Sequence, residues 1–249
     1  METSSEQTTI PTLHHLSSSQ SNRVLWALEE LAEGNGLKYG LKAYPREHGV
    51  APKELKSISP LGKSPILTVE PVDQSGHNSL AAEKEVVTES RIILQFISDN
   101  YSNGIWVPES PEDKKRDAFF QEFANSTLQP KVTYPLIFEL IPVQLPFGLR
   151  QLVQLMVKPV VNHWLQDLGP IYQVLEDALS EEKPWFAGAK LGLADFCMNW
   201  GMDIATHRKY FDAAKYPKLG KWYMTVVERP AYKATLQKGG SYDLLTFDS

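Results

Sequence analysis

The clearest indication of the fold is the stretch Ser59-Pro60-Leu61-Gly62-Lys63-Ser64-Pro65-Ile66-Leu67. Its prolines and glycine are typical of a turn, and the apolar residues from Ile66 to Val69 predict a strand directly after that turn. A bend at a strand edge leaves main-chain N–H and C=O groups without a strand partner, and such groups suit a bound extended peptide. The alternative interpretation of this stretch is a Pro-Gly loop that only connects two elements.

The residues around this stretch predict alternating strands and helices. In the segment 23–33, Val24, Leu25 and Leu28 recur on one side of a helix, and Gly34 follows as a stop signal. Similar patterns predict strands at 9–16, 37–43, 66–69 and 79–87, helices at 23–33, 52–58 and 91–101, and a hairpin turn at 73–76. The predicted order over residues 9–101 is therefore β-α-β-α-β-β-α.

The rest of the chain has helical patterns only. Residues 102–112 are rich in Gly, Pro and Ser and predict a linker, so 113–249 form a predicted all-helical domain, and the polar residues 1–8 predict a disordered tail. The most apolar region, 135–161, is interrupted by charges and by Pro142 and Pro146. We expect two buried helices with a sharp break there, and no membrane-spanning segment.

Composition excludes several classes of protein. Hydrophobic residues make up 42% of the 249 residues and charged residues 22%, which fits a globular protein with a large core. The net charge of −5 argues against a nucleic-acid partner. The single cysteine, Cys197, excludes an internal disulfide and any zinc site built on two cysteines. Without a signal-peptide pattern or metal-ligand spacing of the histidines, we expect a cytoplasmic protein that holds no metal.

An acidic residue and a hydroxyl open the helix predicted after the fourth strand. Glu89 follows Pro65 by 24 residues, and Ser90 comes next. The N–H groups at a helix N-terminus attract a carboxylate, and the Glu89 side chain suits an ammonium group. The pair therefore fits a ligand that carries both charges, although a simple helix cap by Thr88 or Ser90 is the alternative.

A cluster of serines separates the first strand from the first helix. Ser19 precedes Arg23 by four residues and Ser18 precedes it by five. Hydroxyls at this position either cap the helix or donate to a bound ligand.

These features together resemble the cytosolic glutathione transferase superfamily over about residues 9–240. The resemblance is strongest to serine-type members, and to fungal transferases of the yeast membrane-associated type. The run from Gly188 to Asp195 resembles the family's capping box, with Gly192 in place of its serine or threonine, and Glu228-Arg229-Pro230 resembles the entry to its last helix. The implied fold is an α/β thioredoxin-like N-terminal domain followed by an all-α helical bundle.

The resemblance also implies the ligand and the residues that hold it. Glutathione is the expected substrate or cofactor. Pro65 is expected in the cis form, with Ser64 offering main-chain groups to the cysteinyl part, and Glu89 with Ser90 is expected to hold the γ-glutamyl end. The expected partners of the glycyl carboxylate are Lys63 and His48.

The same resemblance implies a catalytic serine and a second substrate. Ser19, or Ser18 as its neighbour, is expected to donate its hydroxyl to the glutathione thiolate. A free thiol has a pKa near 8.5, and one charge-assisted hydrogen bond of about 1.5–3 kcal/mol lowers it by roughly one to two units. An apolar electrophile is expected against Phe119, Phe123 and Thr127. We also expect a homodimer.

Two other functions fit the same residues. A glutathione-dependent cis/trans isomerase, for instance in a fungal secondary metabolic pathway, shares the first step, which is addition of the thiolate to the substrate. A non-catalytic binding protein with the same fold is the second alternative. Cys197 lies in a predicted apolar helix, so we expect it to be buried and inert.

Overall fold

A computed structural model of the chain describes residues 7–47, 49–72 and 85–247. The chain divides into two units, Met1–Asn103 with Pro230–Tyr242 and Gly104–Arg229 with Asp243–Ser249. Of the predicted tail at 1–8, residues 1–6 lie outside the described part. The side-chain amide of Gln7 donates to the main-chain oxygens of Thr9 and Lys38 at 2.8 and 2.7 Å, so Gln7 is held against the first unit.

The first unit confirms the predicted thioredoxin-like order of elements. Its elements are β1 (Thr9–Leu16), α1 (Asn22–Asn35), β2 (Gly40–Tyr44), a 3₁₀ helix (Lys53–Ser57), β3 (Ile66–Pro71), β4 (Glu85–Thr88), α2 (Ser90–Tyr101) and α9 (Pro230–Lys238). The sheet order is β2-β1-β3-β4, with β1 parallel to β2 and antiparallel to β3. The predicted turn at 73–76 and the start of the fourth predicted strand lie outside the described residues.

The apolar stripe of α1 forms much of the core of this unit. Val24, Leu25, Leu28 and Leu31 have no exposed surface. The helix ends at Gly36, which adopts a φ of 70° and donates its N–H to the Leu31 carbonyl. Glycine tolerates this left-handed conformation better than other residues. The end of α1 therefore matches the stop signal in the sequence.

The last helix of the described chain, α9, belongs to the first unit. The sequence predicts a continuous helical domain over 113–249, whereas α9 packs on α1. The rings of Trp26 and Tyr232 meet edge to face with centroids 5.9 Å apart, and the Lys238 ammonium lies 2.8 Å from the Glu29 carboxylate. Burial of the Tyr232 ring against Trp26 accounts for this placement, because both rings are at most 2% exposed.

Helices build the second unit, as predicted. They are α3 (Pro111–Glu122), a π-helix (Phe123–Leu128), α4 (Gln129–Leu140), a 3₁₀ helix (Ile141–Gln144), α5 (Phe147–Gln166), α6 (Leu168–Ala178), α7 (Leu193–His207) and α8 (Pro217–Glu228). The core lies around α7, whose residues from Leu193 to Ala205 are all buried.

Asp195 in the first turn of α7 organises the loop before that helix. Its carboxylate accepts hydrogen bonds from the Phe186 and Gly192 main-chain N–H groups and from the Trp222 indole, at 2.8, 3.1 and 2.8 Å. Burial raises the pKa of this carboxyl to about 6. A Cβ on Gly192 would lie 2.4 Å from the Ala187 Cβ, so close packing accounts for glycine at this cap. These contacts give Asp195 a structural role.

The apolar region at 135–161 contains the predicted break but is not buried as predicted. Leu145 adopts an extended conformation between the 3₁₀ helix and α5. Within α5 only Val161 is buried, whereas Leu155 and Met156 are 70% and 67% exposed. The physical reason is that α5 carries apolar residues on a second face, which no other described helix covers. None of the described helices combines the length and the hydropathy that crossing a membrane requires.

Candidate active site

The serine loop, residues 17–21, connects the end of β1 to the start of α1. Ser17, Ser18 and Ser19 are all less than a tenth exposed. Ser18 adopts a φ of 48°, which is uncommon for a residue with a side chain. Such a conformation persists only where the surrounding structure holds it, and it occurs often in active sites.

The Ser19 side chain stabilises the turn before α1. Its hydroxyl donates to the Leu16 carbonyl at 2.8 Å and accepts from the Ser21 N–H at 3.2 Å. The Ser19 carbonyl accepts from the Asn22 N–H at 3.0 Å. By contrast, the main-chain N–H of Ser19 donates to no acceptor in the part of the chain that the structure describes. Ser19 thus stabilises the turn before α1 and still presents one donor that meets no acceptor among the described residues.

Ser18 is held from both sides by distant parts of the chain. Its N–H and its hydroxyl both donate to the Ser241 carbonyl, at 3.1 and 3.4 Å. Its own carbonyl accepts from the Arg46 guanidinium at 2.8 Å. The hydroxyl contact is long and therefore weak. This hydroxyl accordingly loses little hydrogen-bond energy when it turns to another acceptor.

The Ser64–Pro65 peptide bond is cis, as expected from the resemblance. The Ser64 hydroxyl donates to the His14 carbonyl at 2.9 Å and accepts from the Leu16 N–H at 3.0 Å. Regular pairing of β1 with β3 ends at His14 and Ile66, so this side chain replaces main-chain groups in the ladder. The Ser64 main-chain N–H and C=O form no hydrogen bond with any described residue, and they are available to a ligand.

Glu89 and Ser90 lie at the N-terminus of α2, where the sequence predicts them. Glu89 is exposed, has a φ of 66°, and forms no ion pair with a described residue. Ser90 is buried, and its hydroxyl accepts from the Arg23 guanidinium and donates to the Gln20 side-chain oxygen at 3.4 Å. The same guanidinium donates to Gln20 at 2.8 Å.

Two sequence-distant segments therefore reach the serine loop or the residue before it. Ser64 contacts Leu16, the last residue of β1, and Ser90 contacts Gln20 within the loop. Lys63 is exposed and pairs with no described acidic residue. His48 lies outside the described residues.

Two buried histidines lie near the end of β1, shortly before the serine loop. His14 shares hydrogen bonds with the Tyr44 and Thr68 hydroxyls at 3.0 and 3.1 Å. His15 shares one with the Ser21 hydroxyl at 3.0 Å, and burial lowers its pKa to about 4 against the effect of a hydrogen bond to the Gly239 main chain. His15 is therefore neutral at pH 7.

The residues expected to contact the electrophile lie on the first helices of the second unit. Phe119 in α3 is 55% exposed, and its ring centroid is 5.8 Å from that of half-buried Phe123. Thr127 is also half-buried. Phe123 and Thr127 lie in the π-helix, a type of helix that occurs frequently at functional sites.

Sequence reasoning missed two groups that contact the serine loop. Arg46 lies in a loop after β2, and Ser241 lies more than 200 residues beyond Ser18. Both act on main-chain atoms, so neither has a side-chain pattern that sequence reasoning detects. Cys197 is 2% exposed, as expected. Within residues 7–47, 49–72 and 85–247, no group of three or more His, Cys, Asp or Glu side chains is arranged to hold a metal ion.

Comparison with known proteins matches both units of the chain. The family model "Glutathione S-transferase, N-terminal domain" matches residues 9–99, and "Glutathione S-transferase, C-terminal domain" matches 156–230. Glutathione S-transferase 1 of Saccharomyces cerevisiae is 24% identical over 230 residues, which cover 91% of this chain and 94% of the yeast protein. Glutathione S-transferase 3 of Schizosaccharomyces pombe is 26% identical over 227 residues, which cover 91% and 86%.

A solved structure extends the likeness to the fold. It is the glutathione transferase URE2P8 from Phanerochaete chrysosporium with oxidized glutathione, which has a TM-score of 0.68 and 20% identity over 95% of this chain and 97% of that one. The two family models together match about two thirds of the sequence, and both fungal relatives cover most of it. The chain therefore belongs to the glutathione S-transferase family, whose enzymes use glutathione as a substrate.

Proposed function

We propose that this enzyme activates the glutathione thiol through a serine hydroxyl of the serine loop and directs the thiolate at an apolar electrophile. Ser19 is the first candidate and Ser18 the second. The observation that carries the proposal is a pair of direct hydrogen bonds. Ser64 bonds with Leu16, which directly precedes the serine loop, and Ser90 bonds with Gln20 within it. A ligand held by both residues would place its sulfur beside the loop.

Each charged group of glutathione has a proposed partner in the first unit. The Glu89 carboxylate attracts the γ-glutamyl ammonium group, and the N-terminus of α2 attracts the γ-glutamyl carboxylate. The unpaired main-chain groups of Ser64 pair with the cysteinyl part in the manner of an added strand. Lys63 is the proposed partner of the glycyl carboxylate because its ammonium is exposed and unpaired among the described residues. His48 is proposed as a second partner of the same carboxylate from the family resemblance alone.

The energy available from Ser19 is smaller than its side-chain chemistry alone suggests. Its hydroxyl must leave the Leu16 carbonyl, a neutral hydrogen bond worth about 1 kcal/mol, before it donates to sulfur. The new charge-assisted bond is worth about 1.5–3 kcal/mol, so the net gain is about 0.5–2 kcal/mol. One pKa unit is about 1.4 kcal/mol, and this hydroxyl therefore lowers the thiol pKa by at most about 1.5 units. The N-terminus of α1 acts in the same direction.

The proposed reaction needs no group beyond these. The thiol first releases its proton to water, and a lone pair of the thiolate sulfur then forms a C–S bond with the electrophilic carbon. The leaving group departs with its electron pair or, in an addition, the adjacent carbon takes a proton from water. Phe119 and Phe123 offer an apolar surface to the electrophile, and Thr127 lies one turn further along the π-helix.

The test compares Ser19→Ala and Ser18→Ala with the wild type, with Ser57→Ala as the control. The Ser57 hydroxyl is exposed and caps only its own 3₁₀ turn. Turnover of an activated chloronitrobenzene and calorimetric binding of glutathione are measured for each. We expect Ser19→Ala to lower turnover about tenfold, or about 1.4 kcal/mol in the barrier, with nearly unchanged glutathione binding. Full activity of both alanine variants would contradict serine activation.

The same assay separates the two alternative functions. An isomerase would convert an activated alkene with catalytic amounts of glutathione, whereas a transferase consumes one glutathione for each product molecule. A non-catalytic protein would bind glutathione and do neither. Measuring the glutathione consumed per product molecule therefore decides among the three.

We also propose a homodimer located in the cytoplasm. The open apolar face of α5 supports association, since Leu152, Leu155 and Met156 are each more than half exposed. Light scattering after gel filtration tests this proposal. A monomeric mass at micromolar concentration would contradict it.

A further inference from the structure

We propose that Arg46 is a positioning residue, which aims the Ser19 main-chain N–H at the glutathione sulfur by holding the Ser18 carbonyl. This proposal rests on the proposed function, because it adds a second donor to the same thiolate site. The Ser241 carbonyl holds the other side of Ser18, and we call Arg46 and Ser241 together the clamp.

The Arg46 guanidinium binds main-chain carbonyls in three directions. Its Nε donates to the Ser17 oxygen at 3.2 Å, its Nη2 to the Ser18 oxygen at 2.8 Å and its Nη1 to the Gly49 oxygen at 3.0 Å. A guanidinium presents its donors in a rigid planar fork, so one side chain fixes two consecutive peptide groups of the serine loop. A lysine ammonium carries the same charge without that fixed geometry.

The C-terminal part of the first unit forms the second half of the clamp. The Ser18 N–H donates to the Ser241 carbonyl at 3.1 Å. Gly240, the residue before Ser241, has a φ of 80°, which a residue with a side chain rarely adopts. The packing of α9 on α1 anchors this segment, and the Gly239 N–H continues it by donating to the Thr235 carbonyl at 2.8 Å.

The clamp determines the direction of one unused donor. The Ser18 carbonyl and the Ser19 N–H belong to one peptide group, and the only cis bond in the described chain is Ser64–Pro65. In a trans peptide the N–H points away from the C=O. Because Arg46 holds the carbonyl, the Ser19 N–H points away from Arg46, and it meets no acceptor among the described residues.

The same contact strengthens the donor. A cation bound to a peptide carbonyl polarises the peptide group, and the N–H at its other end becomes a better donor to an anion. An oriented main-chain N–H stabilises a developing or bound anion without any reorganisation of the protein. Arg46 therefore acts on the thiolate through the Ser18–Ser19 peptide, and it needs no contact with glutathione.

The test measures the pH dependence of kcat/KM for Arg46→Met, Arg46→Lys and Gly240→Ala, with Lys42→Met as the control. Lys42 is exposed on β2, and its removal changes the net charge equally without touching the serine loop. We expect Arg46→Met to raise the kinetic pKa of the bound thiol by about one unit, with about a tenfold loss of kcat/KM at neutral pH. At a pH below the pKa of the bound thiol, the dissociation constant of glutathione should change less than about threefold, because a rise in that pKa weakens the binding of the thiolate and not of the thiol.

We expect Arg46→Lys to retain most of the rise in thiol pKa and most of the loss of kcat/KM, because lysine restores the positive charge but not the planar arrangement of guanidinium donors. We expect Gly240→Ala to raise the thiol pKa as well, because it displaces the Ser241 carbonyl. This second variant keeps the proposal testable if Arg46→Met fails to fold. Full recovery in Arg46→Lys, or wild-type pH profiles in both Arg46→Met and Gly240→Ala, would overturn the clamp. Failure of the wild type to bind glutathione would instead overturn the proposed function.

Discussion

Ser64→Ala removes a single hydroxyl that completes the ladder between β1 and the turn before β3. That hydroxyl donates to the His14 carbonyl at 2.9 Å and accepts from the Leu16 N–H at 3.0 Å. His14 and Leu16 are 2% and 5% exposed, so water does not replace the hydroxyl without rearrangement. An unsatisfied buried polar group costs about 1–3 kcal/mol, and the two groups together therefore cost about 2–6 kcal/mol. This is a large part of a typical stability of about 5–15 kcal/mol.

Equilibrium unfolding in urea, followed by circular dichroism, measures this loss. Ser57→Ala is the matched control, because the Ser57 hydroxyl donates to the Glu54 carbonyl at an exposed position and its removal should cost less than about 0.5 kcal/mol. Ser64→Thr retains the hydroxyl and should recover much of the loss. A free energy of unfolding for Ser64→Ala within about 0.5 kcal/mol of the wild type would refute the reasoning, because it would mean that the two main-chain groups find other partners.

Three further predictions concern other parts of the chain. Gly192→Ser should lower the free energy of unfolding in urea by about 1–3 kcal/mol despite the better helix cap, because the new Cβ would lie 2.4 Å from the Ala187 Cβ; equal or higher stability would contradict this. His15 has a pKa of about 4 in the folded chain and about 6.5 when unfolded, so the stability that the neutral ring contributes is complete above pH 6.5 and is lost as the pH falls toward 4. The stability advantage of the wild type over His15→Gln should therefore shrink by about 1.4 kcal/mol per pH unit in that window, and a constant difference would contradict the assignment. The Cys197 thiol, 2% exposed, should react with an aromatic disulfide reagent at least about 100-fold more slowly in the folded protein than in urea, since reaction waits for local opening, and equal rates would exclude its burial.

The first strand and the first helix are the elements that sequence reasoning predicts best. The predicted bounds of β1 are the observed ones, and the core face of α1 contains the predicted Val24, Leu25 and Leu28. Both depend on local periodicity, which a single sequence carries. The turn at Ser64 and the start of α2 at Ser90 are equally local, and both lie where the sequence predicts them.

A single sequence does not show which helix packs against which, in contrast to the local periodicity that predicts the helix itself. Periodicity identifies the apolar face of α9 but not the helix that covers it, and the sequence alone assigns α9 to the helical domain. The same limit explains α5, where an apolar composition predicts burial although most of the helix is exposed. Arg46 and Ser241 were missed for a third reason, because their contacts reach main-chain oxygens and amides that every residue possesses.

The packing of α9 on α1 makes the first unit discontinuous in sequence, and this has a consequence for the growing chain. A ribosome adds about 5–20 residues per second, so the 126 residues of Gly104–Arg229 take about 6–25 seconds to synthesise. During that time Trp26 lacks the ring of Tyr232 and Ser18 lacks the carbonyl of Ser241. The nascent thioredoxin-like unit therefore keeps an exposed apolar surface until Pro230–Tyr242 has been translated. That interval is when we expect molecular chaperones to bind the chain.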